Sequence, residues 1–263
     1  MTTFYAWVNP AFFNGNPLDH TWITTYDNRS QTLPTIDSVI AAGQNYWYCW
    51  GDFHATGSTD DHPTGLLATA DGDLAIAQCL VKVNELGSLT NTPPNGTIQV
   101  YGVNGVCHQI ANQVLYATKT ADKAPLTVKG AGGYAASTFI YGTYGTRTTA
   151  WKAKIKACGA LPLAEDEAMP DLPDDFAEHS RLVLADQPEK HEKLMELRES
   201  VLAFVAQELP GSGTPTAAFI NARNQFLLEM AAEVLGAEDF EKVFGFPPQT
   251  RIDFVSETQL RRE

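Results

Sequence analysis

Apolar and polar positions follow a strand-like rhythm early in the chain and a helical rhythm late in it. Residues 4–8 (FYAWV) and 21–26 (TWITTY) are β-branched and aromatic and predict two strands. Residues 9–17, with Asn-Pro and Asn-Gly pairs, predict the loop between them. Residues 27–35 form a polar turn region ending near Pro34, and 37–42 are ambiguous. Residues 45–53 (NYWYCWGDF) are dense in aromatics and predict a third strand, in the core or along a binding wall. Residues 74–86 have helical apolar spacing, and 91–96 form a Pro-containing loop. Residues 98–101 predict a short strand and Asn104-Gly105 a turn. From Cys107 the apolar positions 107, 110, 111, 114 and 115 form one helical face. Residues 120–138 predict a long loop or irregular hairpin, 138–141 a strand, and 148–158 a helix with Lys152, Lys154 and Lys156 on a basic face, stopped by Gly159.

The C-terminal third has another character. Residues 160–178 combine Pro162, Pro170 and Pro173 with many acids and read as a linker. Residues 189–209 predict a helix with Leu194, Leu197, Val201, Phe204, Val205 and Leu209 on one face, with Pro188 near its first turn. Thr214-Pro215 opens a second helix with Phe219, Phe226, Leu227, Met230 and Val234 inward, stopped by Gly236. Residues 238–244 predict a short third helix and 251–255 a final strand. The expected organisation is an α+β domain over 1–159, an acidic linker over 160–178 and an acidic helical region over 179–263.

Charge sharpens that division. Of the net −13, residues 1–160 carry −1 and residues 161–263 carry −12. Nucleic acid is an unsuitable main partner for such a surface. The acidic helices read as a solvated face or as a docking surface for a protein partner. No apolar run approaches the length of a membrane span, so no membrane insertion is expected. Residues 1–10 lack the basic and apolar regions of a signal peptide, so a cytoplasmic location, or export without that signal, is expected. Cys49, Cys79, Cys107 and Cys158 are widely spaced and read as free thiols rather than disulfides or a zinc set. The acidic turns Asp60-Asp61-His62 and Asp71-Gly72-Asp73 lack a full metal spacing, so neither a metal nor a cofactor is expected.

Cys107 is the residue with the clearest chemical potential. On the first turn of a helix, unpaired N–H groups and the helix dipole favour thiolate over thiol and can hold an oxyanion. The alternative is a small hydrophobe at the start of a buried stripe. Thiol hydrolysis also needs an imidazole. His108 is the chain neighbour of Cys107 and points elsewhere on the helix. His179 and His191 lie in the charged C-terminal region. His20, His54 and His62 precede the cysteine, and His20 is favoured because it abuts a strand. The third group, which orients the imidazole, would be Asp52 or His54. Asn104 and Tyr101 are oxyanion candidates. Trp22, Trp47 and Trp50 are substrate-cleft candidates, with core packing as their other role.

A strand histidine followed by a helix-opening cysteine resembles the circularly permuted NlpC/P60 group of the papain-like superfamily. The resemblance covers about residues 1–160 and rests on the order of His20, a later polar strand residue and Cys107. Thr-Trp-Ile follows His20 where that group has a Val-Gly-Ile type of strand. It implies a papain-like, permuted α+β fold and a cysteine-dependent hydrolase of an amide or peptide substrate, working through an acyl-enzyme. A thiol acyltransferase or thioesterase would use the same residues. The competing expectation is a non-catalytic binding or assembly module that docks through the acidic helices.

Overall fold

A computed structural model describes residues 1–10, 16–27, 45–47, 65–83, 96–160, 172–207 and 215–257. Four antiparallel strands form one sheet: β1 (Thr2–Pro10), β2 (Asp19–Thr24), β3 (Tyr46–Trp47) and β4 (Gly65–Gly72), in the order β3-β2-β1-β4. The alternation in β1 and β2 divides their side chains between two faces. Phe4, Ala6 and Ile23 lie in the main core, whereas Trp7 and Trp22 join Tyr26 and Tyr46 in a separate aromatic cluster on the other face. Trp7 and Trp22 are directly paired across β1 and β2. The Trp7 indole donates to Thr24 Oγ1 at 2.8 Å, which satisfies its buried N–H.

Eight α-helices follow among the described residues. The first, α1 (Leu74–Leu80), is capped by Asp73, whose carboxylate accepts from the amides of Ala75 and Ile76. Next come α2 (Cys107–Leu115), α3 (Tyr134–Tyr141) and α4 (Thr148–Ala157). The C-terminal third forms α5 (Asp175–Val183), α6 (Pro188–Ala206), α7 (Ala217–Leu235) and α8 (Ala237–Phe244). All nine residues of α2 are buried. Buried residues of α2, α3 and the C-terminal helices belong to one continuous core. Phe139 of α3 packs against Phe176 and Phe244, with ring centres 5.3 and 5.5 Å away. Arg198 of α6, 3% exposed, grips both Asp174 oxygens at 2.5 and 2.8 Å and donates to Thr138 O at 3.2 Å. That guanidinium links α6, the N-cap of α5 and α3.

Several local expectations are corrected. Residues 138–141 are helical, not a strand. They end α3, where the Thr138 hydroxyl bonds back to Tyr134 O at 2.9 Å, and the glycines flanking the helix have positive φ. Residues 98–101 are not a strand either; Tyr101 and Gly105 form an isolated bridge around the positive-φ Gly102. Segment 251–255 pairs with no strand among the described residues; helix side chains bond its backbone instead. Asn221 Oδ1 accepts from Phe254 N at 2.9 Å, and Gln225 Oε1 accepts from Ile252 N at 3.2 Å. Strand β4 has no alternating signature, because its sequence is mostly Gly, Ala, Thr and Leu. Gly72 at its end is required by packing, since a Cβ there would lie 2.7 Å from Ala117 O. Helix α5 begins at Asp175, inside the acidic 160–178 stretch.

Phe219 and Phe226 do not point inward: they are 50% and 59% exposed. The inward face of α7 is instead Ala217, Ile220, Asn224, Leu227, Leu228, Ala231 and Leu235. Asn224 turns the helix this way by donating to the Tyr141 hydroxyl at 2.7 Å. Phe204 of α6 is exposed as well.

The free-thiol expectation also changes. Cys79 and Cys158 form a disulfide that joins α1 to the end of α4, with Cα atoms 5.7 Å apart. Among the described residues Cys107 is the free cysteine. Closing a loop with a sequence separation of 79 stabilises a fold by about 4.5 kcal/mol in the chain-entropy account. Reduction should therefore lower the thermal midpoint clearly, while Cys79→Ser/Cys158→Ser should start low and show no response to reductant. A midpoint unmoved by reductant contradicts the linkage.

At the α6–α8 contact, the Asp239 carboxylate accepts from Lys190 and Lys242. The Lys190 hydrogen bond, reinforced by Lys242, holds the Asp239 carboxyl below its usual range. A depressed carboxyl stabilises the fold above its unfolded pKa of about 4, and that contribution is lost as pH falls through the folded value. Denaturant unfolding from pH 6 downward should show an acid limb that Asp239→Asn flattens.

Candidate functional site

Helix α2 begins beneath the first residue of β2. Its start is fixed by Gln109, whose side-chain Oε1 accepts from Val106 N at 3.0 Å and so closes the turn before the helix. Cys107 is 6% exposed, and its Sγ lies 3.9 Å from Asp19 O. The sulfur therefore lies at the edge of β2, one residue from His20. The Cys107 amide donates to the Tyr101 hydroxyl at 3.4 Å.

The start of β2 is clamped from three sides. His108 Nε2 is 3.0 Å from Asp19 O, and its Nδ1 is 2.8 Å from Ser137 Oγ. Because a carbonyl only accepts, Nε2 carries the proton of that bond, and Nδ1 meets the Ser137 hydroxyl, which also bonds Tyr134 O at 3.0 Å. Asp19 and Gly132 exchange two further bonds. Asp19 N donates to Gly132 O at 3.0 Å, and Gly132 N donates to Asp19 Oδ2 at 2.6 Å. His108 is thus not a partner of the thiol. It positions the strand end that the thiol touches.

The rest of the α2 polar face ties down irregular chain. Asn112 donates to Tyr134 Oη and Thr143 O, both at 2.8 Å, and accepts from Val128 N at 3.0 Å. Gln113 donates to Thr97 Oγ1 and Tyr144 O, both at 2.7 Å, and accepts from Thr97 N at 2.9 Å. Gln109 donates to Gly142 O at 3.0 Å. Burial, with the adjacent Asp175 carboxylate next in weight, pushes the Tyr134 hydroxyl well above its usual range. It therefore remains a donor and gives its proton to Asp175 Oδ2 at 2.6 Å.

His20 is 1% exposed, not at the surface, and its ring stacks on Trp22 with centres 5.7 Å apart. That stack places the ring on the Trp7–Trp22 face, while α2 packs on the Ile23 face. The fold brings the cysteine to the His20 strand but leaves the sulfur at its edge and the imidazole on its far face. Directly across the register from His20 is Asn9, 1% exposed, whose Oδ1 has no hydrogen-bond partner among the described residues. Residues directly opposite in an antiparallel pair share a face. Sequence reading passed over Asn9 as part of a loop; its only signal was its place two residues beyond Trp7 in the alternation.

The remaining candidates divide clearly. Tyr101 stands at the Cys107 amide. The Asn104 side chain is instead committed to its own turn, with Oδ1 accepting from Val100 N at 3.2 Å. Trp22 and Trp47 are 1% exposed and are core residues rather than cleft walls, the Trp47 indole donating to Val81 O at 2.9 Å. Asp52, His54, His62 and Trp50 lie outside the described residues. His179 Nε2 donates to Val243 O, 2.9 Å away, within the C-terminal helices. Among the described residues, no group of three or more His, Cys, Asp or Glu side chains could hold a metal. No described helix is long and apolar enough to cross a membrane. Neither protein-family profiles, curated proteins nor solved structures match the chain.

Removing the Asn112 amide strands three buried groups at once. Asn112→Ala should lower stability by about 3 kcal/mol or more, and amide exchange at Val128 should accelerate with it. An unchanged Val128 exchange rate contradicts the bond assigned there.

Proposed function

We propose that the chain is a cysteine-dependent hydrolase that cleaves an amide or peptide bond through an acyl-enzyme on Cys107. The observation that carries this reading is the meeting of Sγ, on the first turn of a buried helix, with the first residue of the His20 strand. The helix N-terminus favours the thiolate. In the proposed reaction Cys107 Sγ attacks the substrate carbonyl carbon, and the C=O electron pair moves to oxygen. The oxyanion is held by the Cys107 amide, released from the Tyr101 hydroxyl, and by that hydroxyl itself. Collapse of the tetrahedral intermediate breaks the C–N bond, and His20, which took the Cys107 thiol proton as Sγ attacked, passes that proton to the leaving amine. Water, deprotonated by His20, then attacks the thioester, and the acid product leaves with thiolate restored.

In this scheme Asn9, opposite His20 on the Trp22 face, flanks the resting ring, which turns away from it to reach the sulfur. The reading requires the imidazole to reach the sulfur around the β2 edge, out of its stack with Trp22. It supports a permuted papain-like arrangement, in which the sheet histidine comes before the cysteine helix in the chain. Thiol acyltransferase chemistry would use the same first half-reaction with a different acceptor. The Cys79–Cys158 disulfide favours the exported alternative over the cytoplasm.

A second reading, a non-catalytic module that binds a protein partner, is favoured by the exposed Phe204, Phe219 and Phe226 on helices rich in acids. Site-resolved iodoacetamide labelling against pH separates the two. A catalytic Cys107 labels fastest of the cysteines, with a midpoint well below the ~8.5 of a free thiol, and His20→Ala or Asn9→Ala shifts that profile. Labelling at the rate of a buried inert thiol, unchanged in His20→Ala, rejects the hydrolase and leaves the binding module.

A further inference from the structure

Phe219, Ala222, Phe226, Glu229 and Glu233 are all exposed and lie on the side of α7 turned away from the core. Successive members of this row are three, four, three and four residues apart, which is the spacing of a coiled-coil seam. A row with that period keeps facing one neighbouring helix along its length. It selects a helix over a strand or a loop as its occupant.

The seam has two halves. Toward the N-terminus Phe219 and Phe226 are 50% and 59% exposed, with the small Ala222 between them. The space over Ala222 is a hole for a large apolar side chain of the neighbour. Toward the C-terminus the seam is acidic. Glu229 and Glu233 take part in no salt bridge among the described residues. Arg223, the single cation of α7, is spent on Gly102 O, the Tyr141 hydroxyl and Asn224. Both halves are unfavourable in the free chain. The phenylalanine rings are left in water. The two glutamates, at i and i+4, repel each other, and Glu233 lies in the last turn, against the negative end of the helix dipole.

Charge decides between occupants. Residues 161–263 carry a net −12, and a second copy brings the same charge with it. The field over the seam therefore repels another copy of this chain and attracts a cation. We propose that this face of α7 is the docking site for a basic amphipathic helix of another protein. Leucine-sized side chains of that helix cover Phe219 and Phe226 and fill the space over Ala222. Its lysines or arginines, about two turns further along, meet Glu229 and Glu233. The proposal deepens the partner-binding reading, on whose exposed phenylalanines it rests, and does not depend on Cys107.

The test is calorimetric titration of the full chain with a synthetic three-heptad helix. Its seam positions carry leucine in one half and lysine in the other, and a control peptide has glutamate for lysine. The lysine peptide should bind, more weakly as salt rises, and the glutamate peptide should bind at least about tenfold more weakly. Phe219→Ser/Phe226→Ser should weaken the lysine peptide by about tenfold or more. Glu229→Lys/Glu233→Lys should reverse the preference between peptides and raise the unliganded thermal midpoint slightly. Phe204→Ser and Glu196→Lys on α6, and Cys107→Ser, should leave binding unchanged. Equal binding of the two peptides, or full affinity and unreversed preference in the α7 variants, overturns the proposal. Binding lost in Phe204→Ser instead overturns this seam but keeps a partner surface, on α6. A concentration-dependent dimer that excludes the peptide makes a second copy the occupant and also overturns it. No binding of either peptide up to about 1 mM removes the seam and the partner-binding reading together.

Discussion

The rest of the structure depends on the buried polar face of α2. A helix with no exposed residue carries His108, Gln109, Asn112 and Gln113 into the interior. Such side chains are costly to bury unless every donor and acceptor is met. Here the unmet partners are supplied by irregular chain. Residues 97, 128 and 142–144 have no sheet or helix of their own to satisfy their backbone groups, and the α2 amides satisfy them. Each side meets the other's hydrogen-bonding need. The same helix places its first residue against β2, with His108 clamping that strand end through Asp19 O.

This arrangement explains what was legible in the sequence and what was not. Strands β1 and β2 were readable because alternation has a period of two and both faces of the sheet are filled, one by the main core and one by tryptophans. Helix α2 and the late helices were readable from their apolar spacing. Helix α3 was not, because its β-branched and aromatic residues mimic a strand, and tertiary packing overrode that preference. Segment 251–255 mimics a strand, but its backbone bonds the Asn221 and Gln225 side chains, a pairing no local pattern encodes. The facing of α7 was misread because an inward Asn224, bonded to Tyr141, sets it rather than the phenylalanines.

The site shows the same limit. Cys107 at a helix start and His20 on a strand were both visible, and the fold does bring that helix start to that strand. Which face His20 occupies is a matter of register, and register is invisible without the partner strand. Asn9 became a candidate only when pairing set it opposite His20. The Cys79–Cys158 disulfide likewise follows from the approach of α1 to α4, not from cysteine spacing. The C-terminal helices are held to the same core through Arg198 and the Phe139–Phe176–Phe244 cluster, so their acidity is a property of the outer surface.

The central claim is that Cys107 carries an acyl group during turnover. Incubation with p-nitrophenyl acetate followed by intact-mass and peptide-level mass spectrometry addresses it directly. The account predicts a single acetyl group on Cys107, transient in the native chain and accumulating in His20→Ala, where hydrolysis of the thioester is slowed. No adduct on Cys107, or acetylation spread over lysines with the same pattern in Cys107→Ser, would contradict it.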